Sequence, residues 1–158
     1  MRARVLIFFI VTILAVLIFK LPFLSNKTMY SDYYNIPNSQ WLITDTLVFN
    51  LPIEQQSINQ YNIQLFGKIN QDYSYSNLFL FVDIYSENKK IKRDTVSILM
   101  YDSFGKPEQK NIGNTQFFKL NYLHTFKSNK NCKFKIIHGM RNEKLNGVES
   151  IGLKIKEK

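Results

Sequence analysis

The amino-acid sequence predicts an all-β protein, an antiparallel β-sandwich of about seven or eight strands that follows an N-terminal transmembrane or signal helix. Three observations lead to this prediction. Apolar residues alternate with polar ones at a period of two from about residue 47 onward, segments rich in Asn, Asp, Gly and Lys separate these runs, and no amphipathic helix longer than about two turns emerges. The chain has 158 residues, of which 45% are hydrophobic, so it is long enough for one packed domain.

The N-terminal segment is the most apolar part of the chain. Two arginines within Met1–Arg4 precede the uncharged run Val5–Phe19, and Lys20 closes that run. Its length lies between that of a signal-peptide core and that of a spanning helix. We interpret residues 1–25 as a signal peptide or uncleaved membrane anchor, and favour the anchor because no small-residue cleavage site follows. The basic end then lies in the cytoplasm and the remaining chain is exported.

Period-two alternation marks the predicted strands in the rest of the chain. They are residues 47–51, 61–69, 78–85, 95–100, 117–126, 133–137 and 151–155, with a candidate eighth at Tyr30–Ile36. Predicted turns separate them at residues 70–72, 87–90, 102–107 and 127–131 and at Asn146-Gly147. The Asn-Gly pair is typical of a tight hairpin.

The predicted strand at residues 78–85 is apolar on both faces except for Asp83. A strand that is covered on both sides is a central one, so we expect it inside a sheet. Alternatively, the aromatic residues Phe79, Phe81 and Tyr85 of one face contact a partner. Burial is the more frequent explanation, because exposed aromatic patches are uncommon on monomers.

The net charge of +9 comes from 21 basic and 12 acidic residues, and it is unevenly distributed. Residues 87–158 carry sixteen basic and seven acidic residues, a difference of nine, which is the whole net charge. A basic half can mark a face for nucleic acid or for a membrane surface. Because Lys outnumbers Arg 17 to 4 and alternates with apolar residues, as in Lys133–Ile136, solvated strand faces explain the excess better than nucleic acid does. Acidic headgroups or an acidic partner remain candidate contacts for this half.

Histidine and cysteine offer little for catalysis or metal binding. His124 and His138 lie in no recognisable nucleophile or metal motif, and positions on strands explain both. Cys132 begins a predicted strand and is interpreted as a small packing residue. A single cysteine also excludes an internal disulfide.

Asp83, Asp94 and Asp102 are the only plausible set of carboxylates for acid–base chemistry. Asp94 and Asp102 lie at predicted turns, where capping of backbone N–H groups explains them without chemistry. We therefore predict that the protein is not an enzyme and has no catalytic, cofactor-binding or metal-binding residues, no cofactor and no small-molecule substrate.

Several short segments occur together in the order found in one known family. They are Tyr34–Trp41, Tyr73–Val82, Asp94-Thr95 followed by Tyr101–Lys106, Met140-Arg141 with Leu145–Val148, and Ile151–Leu153. Together they resemble the gliding-motility lipoprotein GldH family over about residues 30–157, so residues 26–158 are interpreted as a GldH-like β-sandwich domain. The resemblance implies a cell-envelope lipoprotein that supports gliding motility and the associated protein secretion machinery, without catalysis or a cofactor.

The chain departs from that family at two places. The lipidated cysteine that follows the signal peptide in the family has no counterpart here, because the only cysteine is Cys132. After Asp102 the family usually has further glycines and an aromatic residue, whereas this chain has Pro107–Lys110.

The sequence therefore predicts a non-enzymatic scaffold or interaction subunit in a bacterial cell envelope. Its N-terminal segment would anchor it to the inner or outer membrane, its domain would face the periplasm, and its partners would be proteins of the motility or secretion complex, not nucleic acid. The alternative is a periplasmic carbohydrate- or peptidoglycan-binding module, since β-sandwiches often present aromatic residues such as Trp41, Tyr73 and Tyr75. A hydrolase that uses Asp83, Asp94 or Asp102 is a third class.

Overall fold

A computed structural model describes residues 28–52, 57–86, 88–128 and 131–157 of the chain. The helix predicted within residues 1–25 lies outside the described residues. Among the helices within the described ranges, none combines the length and the apolar character that a bilayer span requires.

Eleven strands and one short helix make up the described structure. They are β1 (Thr28–Asn35), a one-turn 3-10 helix (Pro37–Ser39), β2 (Gln40–Leu42), β3 (Leu47–Leu51), β4 (Ser57–Asn70), β5 (Asn77–Ser86), β6 (Lys89–Leu99), β7 (Lys110–Ile112), β8 (Thr115–Ser128), β9 (Cys132–His138), β10 (Lys144–Asn146) and β11 (Val148–Glu157). A five-stranded sheet has the order β1-β11-β4-β8-β7, a four-stranded sheet the order β3-β9-β5-β6, and β2 pairs with β10 alone. All these described pairs are antiparallel.

The core lies between the two larger sheets because each contributes one apolar face. In β9, every second residue from Cys132 to His138 is buried, as period-two alternation requires. Ile63 of β4 belongs to the same buried cluster as Val82 of β5 and Phe134 of β9. Full burial of such side chains contributes roughly 1.5–3 kcal/mol each. The predicted antiparallel β-sandwich is confirmed.

All eight predicted strands, including the candidate at Tyr30–Ile36, correspond to observed strands. The strands β2, β7 and β10 were not predicted, because three residues are too few to show an alternation. The prediction that Asp94 lies at a turn is wrong. β6 begins already at Lys89, and its charged first residues lie on an exposed edge, so they lack the apolar alternation that marks a strand.

The Asn146-Gly147 pair does not form the predicted hairpin. β10 pairs with β2, whereas β11 pairs with β1 and β4, so the two strands on either side of Gly147 belong to different sheets. Gly147 has φ = +82°, which is the conformation that glycine adopts without strain. A Cβ atom at this position would collide with the backbone of Tyr73. The glycine therefore marks a change of sheet and a close approach of two chain segments.

Candidate functional site

The outer face of the four-stranded sheet combines aromatic and cationic side chains. β5 lies between β9 and β6, so its outward side chains have neighbours on both sides. Its inward residues, represented by Leu80 and Val82, are fully buried, whereas Phe79 on the outer face is 38% exposed and Phe81 and Tyr85 are half-buried. The prediction of a central strand is confirmed, whereas the expected burial of its second face is wrong, because Phe79, Phe81 and Tyr85 are only partly buried.

Asp83 lies in the middle of this face and is only 3% exposed. It pairs in register with Arg93 of β6 and with Lys135 of β9. The Nε and Nη2 groups of Arg93 donate hydrogen bonds to its two carboxylate oxygens at 2.6 and 2.7 Å, and Nζ of Lys90 lies 2.8 Å from Oδ1. The hydrogen bonds from Arg93 hold the pKa of Asp83 below its usual range, although burial acts in the opposite direction. Asp83 is therefore a buried anion that fixes two cations.

Two cations of this face also lie over aromatic rings. The guanidinium carbon of Arg93 lies 5.3 Å from the ring centroid of Phe81, and Nζ of Lys135 lies 4.9 Å from that of Tyr85. Both distances are within the range of cation–π attraction. Because Arg93 bonds to Asp83 at the same time, its side chain has a fixed position on the surface.

The outer face of the four-stranded sheet carries an excess of positive charge. Among the described residues, its charged side chains are Lys90, Arg93, Lys133, Lys135 and Asp83, so four cations and one anion leave a net charge of three. Exposed apolar side chains on β5 and β6 lie among them, namely Phe79, Ile91 and Leu99. Aromatic residues and arginine are enriched in protein interfaces, and a cationic surface selects an acidic partner. The arrangement is thus suited to binding an acidic protein segment that has apolar anchor residues.

The three candidate carboxylates have different surroundings. In the register of β5 and β6, Asp83 lies opposite Arg93 whereas Val82 lies opposite Asp94, so the two carboxylates project from opposite faces of the sheet. Oδ1 of Asp94 lies 2.8 Å from Nζ of Lys92. Asp83 and Asp94 therefore do not form the facing pair that acid–base hydrolysis requires.

Asp102 lies in the loop that follows β6, and its carboxylate organises the backbone there. Its Oδ1 accepts hydrogen bonds from the N–H groups of Phe104 and Lys106, both at 2.8 Å. Gly105 has φ = +77° in the same turn. The predicted capping role of Asp102 is confirmed.

Of the three aromatic residues expected to contact a glycan, Trp41 and Tyr73 lie in the core, and Tyr75 is partly buried against it. Trp41 is fully buried, its Nε1–H group donates to the carbonyl of Asp45 at 2.9 Å, and its ring packs edge-on against His138 at 5.4 Å. Tyr73 is 4% exposed and donates from its hydroxyl to the carbonyl of Asn77 at 2.7 Å. Trp41 and Tyr73 do not present a stacking surface, so the prediction that they do is wrong. An exposed polar residue precedes each ring, namely Gln40 before Trp41 and Asp72 before Tyr73. Polar neighbours in the sequence therefore did not indicate whether each ring points to the core or to solvent.

Two of the other candidate residues, Cys132 and His138, lie in the core. Cys132 and His138 are each 1% exposed and lie on the inward face of β9, and burial lowers the pKa of His138. His124 lies within β8, in register with Tyr61 of β4. Within the described ranges, no three His, Cys, Asp or Glu residues are grouped so that they could hold a metal ion.

Comparisons with known proteins identify the family. A profile of the GldH lipoprotein family matches residues 28–155. The gliding motility lipoprotein GldH of Flavobacterium johnsoniae is 27% identical over 143 residues, which cover 86% of this chain and 89% of that protein.

Likeness to solved structures is slight. A family 35 carbohydrate-binding module from an environmental isolate has a TM-score of 0.43 and 16% identity over 84% of this chain and 81% of its own. An arabinose-bound α-L-arabinofuranosidase has the same TM-score and identity over 80% of this chain, which spans only 19% of that enzyme's length. These TM-scores are too low to support a conclusion. The family profile, in contrast, matches most of the chain, and the protein belongs to the GldH lipoprotein family.

Proposed function

We propose that this protein is a non-enzymatic interaction subunit that supports bacterial gliding motility and the associated secretion machinery. Its mechanism is scaffolding, in which the outer face of the four-stranded sheet binds an acidic segment of another envelope protein. Two observations support the proposal, namely membership of the GldH lipoprotein family and the row of aromatic and cationic side chains around Asp83. The scaffolding mechanism depends mainly on this row of side chains.

The geometry of this face suits recognition rather than catalysis. A bidentate hydrogen bond and an aromatic ring already orient Arg93 in the free protein. Its side chain therefore loses little conformational entropy when a partner binds. Phe79 and Leu99, which are 38% and 48% exposed, add apolar area that a partner would remove from water. Acidic side chains of the partner would pair with Lys133 and Arg93. Association through these charges should weaken as the salt concentration rises.

Membership of a lipoprotein family implies attachment to a membrane. The finer topology that we propose has residues 1–25 at the membrane and the β-sandwich in the periplasm. The basic residues before the apolar run support this orientation. Membrane fractionation and intact-mass measurement of the native protein test it, because they show whether residues 1–25 remain and whether a lipid is attached. A protein found in the soluble fraction, without a lipid, would contradict the anchor.

Paired substitutions in the native host test the scaffolding role. The variant Phe79→Ser/Lys133→Glu removes one aromatic and one cationic contact, and neither residue touches Asp83. The matched control is Tyr33→Ser/Lys154→Glu, which changes the same types of residue on β1 and β11 of the other sheet, where Tyr33 is 57% exposed.

We expect the first variant to lose surface spreading, protein secretion and co-purification of the partner while its melting temperature stays near that of the wild type. The control variant should retain all three. Equal behaviour of the two variants would exclude this face as the binding surface. Intact motility and secretion after deletion of the gene would remove the functional proposal itself.

A further inference from the structure

A polar cleft of about 500 Å³ lies at one end of the sandwich, and none of its lining residues belongs to the outer face of the four-stranded sheet. Three segments form it, namely the short helix with the start of β2, the loop between β4 and β5, and the junction of β10 and β11. Its side chains are the amides of Asn38, Gln40, Gln71 and Asn146, the carboxylate of Asp72 and two serine hydroxyls. These lining residues include no aromatic ring and no cation.

Gly147 holds the three segments together. Its N–H group donates to the carbonyl of Ser39 at 2.8 Å, and its own carbonyl accepts from the N–H group of Asn70 at 2.8 Å. The backbone of Tyr73 lies so close to Gly147 that a side chain would not fit between them. Asn38 and Ser39 both have φ = +53°, which is uncommon for residues other than glycine. The cleft is therefore built from fixed backbone and is largely preformed.

The four amide side chains of the cleft have no hydrogen-bond partner among the described residues. The neighbouring Asn70 differs, because its side chain bonds to the hydroxyl of Ser39 at 3.5 Å and to the N–H group of Asp72 at 3.0 Å. Asn70 thus serves the structure, whereas the lining amides of Asn38, Gln40, Gln71 and Asn146 remain available to a ligand. Because each amide has both a hydrogen-bond donor and an acceptor, a matching ligand would also have donor and acceptor groups.

The chemistry of the lining excludes several ligand classes. An anion such as phosphate would meet the Asp72 carboxylate and no cation. An aliphatic chain would leave the amides buried and unpaired. A divalent cation would find one carboxylate, and the described residues contain no group of three potential ligands.

We propose that this cleft binds a neutral saccharide. Each hydroxyl of a sugar both donates and accepts a hydrogen bond, and neighbouring hydroxyls match the paired groups of an amide or a carboxylate. The volume falls within the range of small-molecule sites. Because the lining has no ring on which a sugar would stack, hydrogen bonds alone hold the ligand and the affinity is low, with a Kd of about 1 mM. This activity is independent of the scaffolding role.

Calorimetry measures binding to the cleft directly. Full-length protein in detergent is titrated with chitohexaose, cellohexaose and xylohexaose up to about 10 mM. We expect at least one of these oligosaccharides to bind with a Kd of about 1 mM.

Substitutions locate the binding site. Gln71→Ala and Asn146→Ala should each weaken binding about tenfold. Asn111→Ala removes the same type of group from the exposed strand β7 and should leave the affinity unchanged. Circular dichroism confirms that all three variants are folded. Absence of binding to the three oligosaccharides, or equal binding by all variants, would overturn the proposal, and so would binding of tri-alanine in place of any sugar.

Discussion

Arg93 of β6 lies directly opposite Asp83 of β5, and two N–H groups of its guanidinium donate to the two carboxylate oxygens at 2.6 and 2.7 Å. The Asp83 side chain is 5% exposed, whereas the Arg93 side chain is 48% exposed. The two partners therefore do not depend on each other equally. A buried carboxylate that loses its donors stays desolvated, whereas a half-exposed guanidinium that loses its acceptor returns to water.

Substitutions of this pair should accordingly differ in their cost. Arg93→Leu should lower the free energy of unfolding more than Asp83→Leu does, because it leaves Asp83 with Lys90 as its remaining donor. Asp83→Leu should cost at most about 1 kcal/mol. The double variant should lose less than the sum of the two single variants. Urea denaturation of the four proteins measures the cycle, and strictly additive losses would contradict the coupling of the pair.

His138 should make the stability of the protein depend on pH below neutrality. Burial lowers its pKa from the ordinary value of about 6.5, and the backbone of Trp41 and the charge of Asp45 oppose this shift only in part. The unfolded chain then takes up a proton at a higher pH than the folded one. The contribution is complete above pH 6.5 or so and is lost as the pH falls toward the lower folded pKa. The melting temperature should therefore decrease as the pH is lowered from about 7 to about 5.

The variant that tests this effect is His138→Phe. Phenylalanine preserves the edge-on contact with Trp41 and cannot be protonated, so His138→Phe should be folded and should show a smaller decrease. An undiminished pH dependence of the melting temperature in His138→Phe would refute the assignment to His138.

Gly147→Ala should destabilise the protein strongly, by about 3 kcal/mol or more, because it combines a positive φ with a collision against the backbone of Tyr73. Gly113→Ala is the matched control. Gly113 has φ = +59°, but a Cβ atom there meets nothing within 4 Å, so only the backbone strain of about 1 kcal/mol applies. Thermal denaturation of both variants separates the two contributions. Equal losses of stability would show that the close approach at Gly147 is unimportant.

Cys132 should be inert in the native protein. It is the only cysteine and is 1% exposed in β9. A maleimide reagent needs an accessible thiolate, so labelling should be at least about a hundredfold slower in buffer than in guanidinium chloride. Mass spectrometry of the labelled chain gives both rates. Rapid labelling without denaturant would contradict the burial of β9.

Much of the fold was predictable because several strands bury one face more than the other. This asymmetry produces a period of two in β3, in β9 and in residues 62–70 of β4, and the same signal located the eight predicted strands. β10 was not predicted, because three residues are too few to show an alternation of apolar and polar residues. The Asn-Gly pair that follows β10 was misassigned because a local turn signal does not specify which strands it joins.

The sequence indicates the pairing of Asp83 with Arg93 only weakly. One carboxylate in an otherwise apolar strand, with an arginine ten residues later across a predicted turn, is what a hairpin with a buried ion pair would show. The sequence alone left open whether the second face of this strand is covered, because alternation does not reveal what lies against a face.

By itself, then, the sequence determined the all-β class, the approximate strands and the family, since each of these depends on local pattern or on the order of short segments. The tertiary structure decided which aromatic residues are buried, as at Trp41 and Tyr73, and which amides meet, as at Gln71 and Asn146 in the polar cleft. These features depend on contacts between strands that are far apart in the chain. A side chain's own neighbours in the sequence do not record such contacts, because the packing of two sheets establishes them only when the chain folds.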